Sequence, residues 1–221
     1  MQGRARRRTA RAAAALAAVL LAGSLSACGA GSGGPVAEAA GPTSELNGTD
    51  VSDVITRPAL TLTDTEGRPF SLQQRPADEL TVLFFGYTRC PDVCPTGMAD
   101  LAAARRQLSD SDRRHLQVAF VTEDPANDTA PVVRRWLSAF DPAFLGLLGG
   151  GPATETVLDR LKAPRTTVTA TPPEGVTGPL TGPTVQHTGS VYAFHGDRVL
   201  VYTDRTSPRD YAADFHRVLA S

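Results

Sequence analysis

The sequence predicts a mixed α/β domain in which helices flank a central sheet. Short apolar runs rich in strand-forming residues alternate with stretches whose apolar residues recur at helical spacing. A pair of strands and a helix then end the chain, and together these two observations predict a layered α/β architecture. The 221 residues, 41% of them hydrophobic, suffice for one domain of this kind. The formal net charge of -1 indicates no nucleic-acid partner.

The N-terminus has the three zones of an export signal. An arginine-rich start without acidic residues precedes an apolar stretch over residues 12–25, which ends in Leu25-Ser26-Ala27-Cys28. The stretch is shorter than the roughly 20 residues of a membrane-spanning helix, and this order of zones is typical of a secretory signal. The ending resembles a bacterial lipobox, which implies a lipoprotein signal peptide over residues 1–27 and lipidation of Cys28. The alternative is an uncleaved membrane anchor. Both place the protein on the extracytoplasmic face of the cell membrane.

Residues 28–54 predict a flexible tether. They are rich in Gly, Ala, Pro and Ser and contain no basic residue, so they bury too little apolar surface to fold alone. The tether reaches roughly 25–30 Å and leads to a domain over residues 55–221. Loss of the five N-terminal arginines leaves 22 − 5 = 17 basic against 23 acidic residues, a charge of -6. An acidic surface favours a partner with a basic patch.

The first half of the domain contains a hairpin, two buried strands and a helix. Residues 59–64 alternate apolar and polar side chains, residues 65–67 can turn, and residues 69–72 return, which predicts a β-hairpin. The apolar runs at residues 80–85 and 116–122 predict central strands buried on both faces. Pro95 is expected to begin a helix that continues to residue 108.

The second half continues the alternation. Helices are expected over residues 130–140, where Asp128 and Thr129 can cap the first turn, and over residues 152–161 and 208–219. Short strands are expected at residues 144–148, 188–194 and 199–202. Residues 164–186 are rich in Thr, Pro and Gly and predict a long loop. This order matches the thioredoxin-like fold, with an N-terminal β-hairpin and a central mixed sheet flanked by helices.

Cys90 and Cys94 are the candidate site, because they lie where a buried strand gives way to a helix. The helix N-terminus beside Cys94 and the positive charge of Arg89 are expected to favour the thiolate. Three residues separate the cysteines, so their sulfurs can form a redox disulfide or share one metal ion. The alternative is a structural disulfide or two buried thiols.

His187 is the candidate third ligand among four histidines. It lies directly before a predicted strand, and in a thioredoxin-like fold the loop entering this strand runs beside the cysteine loop. Two thiolates suit a soft ion such as Cu(I), and an imidazole also supports Cu(II). Zinc usually takes a fourth ligand, for which no Cys or His is an obvious candidate.

The sequence FFGYTRCPDVCP at residues 84–95 resembles the Sco/SenC family, as do TEDPANDT at residues 122–129 and HTGS at residues 187–190. The resemblance covers about residues 55–221. It implies that Cys90, Cys94 and His187 bind copper, and that the protein assists assembly of the CuA centre of cytochrome c oxidase. Asp92 and Asp124 are candidates for orienting the ligands or contacting the partner, with solvated surface acids as the alternative.

The function expected from the sequence is that of a monomeric copper metallochaperone, held at the membrane through Cys28, whose partner is the copper-site subunit of the oxidase. This is a binding role rather than an enzymatic one. The alternative is a thiol–disulfide oxidoreductase that reduces the cysteines of that copper site. Two features depart from the family pattern, the long loop at residues 164–186 and Glu123.

Overall fold

A central sheet of eight strands organises the domain. The computed structural model describes residues 46–163, 167–169, 184–186 and 189–221. The predicted signal peptide, the lipidation site Cys28, most of the predicted tether and the candidate ligand His187 lie outside these residues. Within them the mixed α/β fold expected from the sequence is confirmed, with the predicted hairpin at one edge of the sheet.

The strands and helices follow one another in the predicted alternation. The strands are β1 Thr49–Asp50, β2 Thr61–Asp64, β3 Pro69–Ser71, β4 Leu80–Gly86, β5 Leu116–Thr122, β6 Leu145–Leu148, β7 Thr167–Thr169, β8 Thr184–Gln186, β9 Val191–His195 and β10 Arg198–Tyr202. The helices are α1 Val93–Gln107, α2 Asp110–Arg114, α3 Ala130–Ser138, α4 Gly151–Arg160 and α5 Pro208–Leu219. The sheet order is β1-β10-β9-β4-β5-β6-β2-β3, and β7 and β8 form a separate pair.

Strands β4 and β5 form the buried centre of the sheet. They run parallel, in register from Leu80 opposite Leu116 to Gly86 opposite Thr122. Every residue of β4 is buried, because both faces of the sheet are covered and each side chain meets a packed layer. The carboxyl ends of both strands therefore lie at one edge, and the loops that follow Gly86 and Thr122 are neighbours.

Helices cover both faces of this sheet. One face packs against α1, α3 and α5, through buried residues that include Met98, Leu101, Val133 and Phe215. The opposite face packs against α4 and the segment around the hairpin, through buried residues that include Val157, Leu158, Leu60 and Leu72. Burial of one such side chain contributes about 1.5–3 kcal/mol, so packing against the sheet holds the helices in place. No helix among the described residues has the length and apolarity to cross a membrane.

The folded domain begins before the position that the sequence predicts. Residues 46–54 were assigned to the tether, but β1 pairs with β10 and the preceding residues bind a buried carboxylate on α5. Asp214 accepts hydrogen bonds from the backbone amides of Asn47 and Gly48, both at 2.8 Å, and from the Asn47 side-chain amide at 2.9 Å. The partner residue is 166 positions away from Gly48, so local composition gives no sign of it.

Three smaller differences concern one helix boundary and the short elements that the sequence does not predict. Helix α1 begins at Val93 rather than at Pro95. A proline in the first turn is compatible with this start. The backbone N–H groups of that turn have no acceptor within the helix, so the N–H that proline lacks costs no helical hydrogen bond. The short helix α2, whose first turn is capped by the Ser109 side chain, was not predicted. Strands β7 and β8 fall in the segment predicted as a loop, where three-residue strands are too short to produce a recognisable period.

Candidate metal centre

The two cysteines lie together where β4 gives way to α1. Cys90 is in the connecting loop and Cys94 is the second residue of the helix. Neither cysteine forms a disulfide, and 8% of Cys90 and none of Cys94 is exposed to solvent. The Cys94 backbone amide lies 3.4 Å from Cys90 Sγ and donates a hydrogen bond to it. The two cysteines are thus brought together in a nearly closed position.

Gly86, the last residue of β4, leaves the space that the Cys94 sulfur fills. A Cβ added at Gly86 would lie only 2.6 Å from Cys94 Sγ, closer than any ordinary contact. It would also lie 3.1 Å from the ring of Phe84 and 3.3 Å from that of Phe120. The absence of a side chain at Gly86 therefore allows Cys94 to pack directly on the end of the strand.

Hydrogen bonds converge on the Cys90 sulfur. Besides the Cys94 amide, the Tyr87 hydroxyl and the Cys94 thiol donate to it. The Tyr87 backbone amide donates to the Cys94 sulfur in turn. Burial, reinforced by the two neighbouring sulfurs, raises the pKa of Tyr87 to about 12. Tyr87 thus remains a neutral donor at physiological pH, and the two sulfurs share one hydrogen-bonded pocket.

The pKa of Cys94 moves in the direction opposite to the one expected from the helix N-terminus. Burial raises the pKa of the Cys94 thiol above its ordinary value of 9.0, and the nearby Cys90 and Glu123 raise it further. The Tyr87 amide lowers it without compensating for the loss of hydration. Desolvation outweighs the helix terminus because the sulfur is completely enclosed. In the metal-free state Cys94 is therefore a protonated thiol.

The predicted auxiliary acids lie on two sides of the cysteine loop. Asp124 pairs with Arg89 at 3.1 Å, so the charge of Arg89 is directed at this carboxylate. Asp92 is exposed at the residue preceding α1, and its side chain makes no hydrogen bond that caps the helix. It lines a cavity of about 160 Å³, together with Asp100 and Asp204. Asp124 thus supports the loop, whereas Asp92 faces a solvent-accessible acidic cavity.

Asp128 is a site residue that sequence reasoning missed. It was expected to help cap α3, but its side chain points to the cysteine loop instead. Its carboxylate accepts hydrogen bonds from the Thr88 amide at 3.0 Å, from the Thr88 hydroxyl and from the Thr122 hydroxyl at 2.6 Å. The available signal was that Thr88 and the Asp128 segment follow the ends of two parallel neighbouring strands.

Two of the three predicted ligands, Cys90 and Cys94, lie among the described residues. Among them, no group of three or more Cys, His, Asp and Glu side chains could hold a metal ion. His187 lies outside the described residues, but the chain is described again from Gly189. A Cβ at Gly189 would collide with the side chain of Val93, the residue before Cys94. The segment that enters β9 therefore starts directly beside the cysteines.

Comparison with known proteins shows the family of the chain. The SCO1/SenC family model matches residues 51–220. The mitochondrial protein SCO2 of Saccharomyces cerevisiae is 36% identical over 101 residues, which cover 46% of this chain and 33% of the yeast protein. The matched segments span between 31% and 48% of the length of the first curated relatives.

Solved structures of the same family superpose on the chain. The apo Sco1 protein of Thermus thermophilus is 30% identical with a TM-score of 0.63, covering 80% of this chain and 99% of that one. The copper-bound ScoI of Bradyrhizobium japonicum is 28% identical with a TM-score of 0.59, covering 73% of this chain and 98% of that one. With its thioredoxin-like sheet, its paired cysteines and a family match over most of its length, this chain belongs to the SCO1/SenC family.

Proposed function

We propose that this protein binds one copper ion through Cys90, Cys94 and His187 and delivers it to the CuA centre of cytochrome c oxidase. One observation carries the proposal. Two reduced, buried thiols meet at a strand-to-helix junction, with the Cys94 amide 3.4 Å from Cys90 Sγ, in a member of the SCO1/SenC family. Copper is the cargo in this role, so the site must bind it and later release it to another set of ligands.

The chemistry of the donors fits copper. Thiolate sulfur is a soft ligand that prefers Cu(I), and an imidazole extends the site to Cu(II). Because its pKa is raised, Cys94 must lose a proton when the ion binds, and a metal displaces thiol protons readily. The ScoI neighbour from Bradyrhizobium japonicum is itself a copper-bound protein, and its likeness supports the same cargo here.

The chain geometry supports His187 as the third ligand. Gly189 lies against Val93, the immediate neighbour of Cys94. His187 is two residues before Gly189 in the sequence, and two residues of extended chain span at most about 7 Å. The assignment of the histidine thus rests on the family resemblance and on this covalent limit.

The place of action follows from the N-terminal segment. We propose that residues 1–27 are removed, that Cys28 is lipidated, and that the segment before Leu46 tethers the domain to the extracytoplasmic face of the membrane. Mass spectrometry of the membrane-extracted protein tests this, since a lipidated N-terminal peptide should begin at Cys28. A Cys28→Ala variant should be released from the membrane while its domain binds copper as before.

Copper titration of the reduced fragment 42–221 tests the binding proposal. We expect one Cu(II) ion per chain with a sulfur-to-copper charge-transfer band in the visible spectrum. His187→Ala should weaken binding and shift or abolish the band. His115→Ala is the matched control, because His115 is exposed and precedes β5 at the opposite end of the sheet. An identical spectrum in wild type and His187→Ala would remove His187 from the site.

A second function, thiol–disulfide exchange, is favoured by the contact between two cysteines that form no disulfide. A dithiol of this kind can reduce the cysteines of the oxidase copper site before copper arrives. The His187→Ala variant separates the two functions, because electron exchange through Cys90 and Cys94 does not need the imidazole. Rapid reduction of a disulfide peptide by wild-type protein that binds no copper would establish the oxidoreductase as the main role.

A further inference from the structure

The loop that carries Cys90 is held by a buried carboxylate of another element. Asp128 precedes α3, is 2% exposed to solvent, and accepts hydrogen bonds from three donors. Two of these are the amide and the hydroxyl of Thr88, and the third is the hydroxyl of Thr122. No Lys, Arg or His side chain forms an ion pair with Asp128 among the described residues. Burial of a carboxylate without a cation is costly, so its neutral donors must hold it firmly.

The position of Thr88 explains why this contact matters for the site. Parallel pairing of β4 and β5 ends at Gly86 and Thr122, and the Glu123 amide adds one last bond of 2.8 Å to the Gly86 carbonyl. Among the described residues, no strand pairing of β4 continues beyond Gly86. The Asp128 carboxylate continues the connection by binding Thr88 and Thr122 at the same time.

Thr88 is also the second residue of the turn that ends at Cys90. The Cys90 amide donates to the Tyr87 carbonyl at 3.2 Å, which closes a four-residue turn over residues 87–90. Asp128 holds this turn through both the backbone and the side chain of Thr88. Cys94, in contrast, is positioned by α1 and by its packing on Gly86. The Asp128 contact thus acts on the turn that carries Cys90, and it sets the place of Cys90 relative to Cys94.

We infer that Asp128 is a positioning residue that holds Cys90 beside Cys94 through Thr88, and so sets both copper affinity and disulfide stability. The inference rests on the proposed copper function for its first consequence but not for its second. Without the carboxylate the turn is freer and Cys90 samples positions away from Cys94. Loss of a group that orients metal ligands typically costs about 10–100-fold in metal affinity. The intramolecular disulfide should also become less stable, because its formation depends on the proximity of the thiols.

The experiment compares Asp128→Asn with the same substitution at a second buried carboxylate, Asp214, which also pairs with Arg217. Asp214→Asn is the matched control, because Asp214 is also a fully buried carboxylate that accepts several hydrogen bonds, but it binds residues 47–48 rather than the cysteine loop. Each full-length variant is measured for urea unfolding, for copper affinity, and for its equilibrium with glutathione. In that equilibrium Cys90 and Cys94 form one disulfide and lose two electrons and two protons, which convert one oxidised glutathione into two reduced molecules.

We expect both variants to lose stability and only Asp128→Asn to change the site. Its copper affinity should fall about 10–100-fold. Its equilibrium constant for disulfide formation should fall about tenfold, which corresponds to about 30 mV for two electrons. If Asp128→Asn does not fold, Thr88→Val removes one of the three bonds and should give a smaller change in the same direction. Thr88→Ser, which keeps the hydroxyl, should restore wild-type values.

The outcomes separate the inference from the proposed function. If wild-type protein binds no copper, the proposed function fails, and the glutathione equilibrium alone then decides the inference. An Asp128→Asn protein, or failing that a Thr88→Val protein, that is destabilised but keeps the wild-type disulfide equilibrium would show a purely structural carboxylate and overturn the inference.

Discussion

Replacement of Gly86 by alanine tests whether the packing of Cys94 on β4 controls the site. The added Cβ would lie 2.6 Å from Cys94 Sγ, and ordinary van der Waals contact begins at 3.4 Å. The sulfur or the strand must therefore move by the difference, 3.4 − 2.6 = 0.8 Å. Close packing around Phe84 and Phe120 leaves little room for that movement, since the new methyl would press on both rings as well.

The energy of this overpacking follows from comparable core substitutions. Insertion of one methyl group into a packed core costs about 1–3 kcal/mol, so Gly86→Ala should lower the free energy of unfolding by that amount. Copper affinity should fall as well, because the displaced sulfur no longer meets the ion at its preferred position. If the displacement destabilises the copper-bound state by about 1.4 kcal/mol more than the metal-free state, the affinity is tenfold weaker.

Gly97→Ala is the matched control for the measurement. A Cβ at Gly97 would press on the same Phe84 ring, 2.7 Å from its Cε2 atom, but from within α1 and with no sulfur among its nearest neighbours. Alanine is favoured over glycine in a helix by about 1 kcal/mol, and this gain offsets part of the strain that Gly97→Ala introduces. Urea unfolding and competitive copper titration of the reduced proteins give the two quantities. Two results would contradict this prediction. One is a Gly86→Ala protein with the unfolding free energy and the copper affinity of wild type, and the other is a Gly97→Ala protein that loses as much copper affinity as Gly86→Ala.

Three further predictions address the rest of the fold. Asp214→Asn should release Asn47 and Gly48 and cost about 2–4 kcal/mol in urea unfolding, since hydrogen bonds to a charged group contribute about 1.5–3 kcal/mol each; deletion of residues 46–50 should remove most of that difference. Because the pKa of Cys94 is raised above 9.0, the unfolded chain releases this proton first. The contribution of Cys94 to the stability of the reduced, metal-free protein is therefore fully present below pH 9 and falls above it by up to about 1.4 kcal/mol per pH unit. Cys94→Ser should reduce this slope in urea titrations at pH 8–10. Gly189→Ala should weaken copper binding in competitive copper titration, because Gly189 has a φ of +61° and no space for a Cβ beside α1. An unchanged copper affinity would show that the packing of Gly189 on α1 does not influence the site.

The parts of the fold that the sequence predicted well depend on local patterns. Strands β4 and β5 are continuous apolar runs, and their burial on both faces follows directly from that composition. The placement of Cys90 and Cys94 after β4 followed from the same run and from the prolines that bound the loop. Hairpin β2–β3 was recognisable by its alternation and its turn. In each case the information lies within about ten residues of the feature.

The parts that were missed depend on distant residues. Assignment of residues 46–54 to the tether was wrong because their partner, Asp214, is at the other end of the chain. Asp128 was interpreted as a helix cap, the usual role of an aspartate before a helix, but its donors are 6 and 40 residues away. Burial of Cys94 is also a tertiary property, so the sequence showed the helix terminus that lowers its pKa and not the enclosure that raises it.

The raised pKa of Cys94 bears on the choice between the two proposed functions. A reductase needs a thiolate nucleophile at physiological pH, and Cys94 is protonated and fully enclosed. Cys90 is the more exposed sulfur and the one on which hydrogen bonds from Tyr87 and Cys94 converge, so any exchange with a partner must begin there. A metal ion does not need a free thiolate in advance, because it displaces the proton on binding. The enclosure of Cys94 thus opposes rapid disulfide chemistry by that thiol and is compatible with retention of copper.

Measurement of the alkylation rate of each cysteine at pH 7 tests this difference between the two thiols. Cys90 should react faster than Cys94, and equal rates would remove this argument for the metallochaperone.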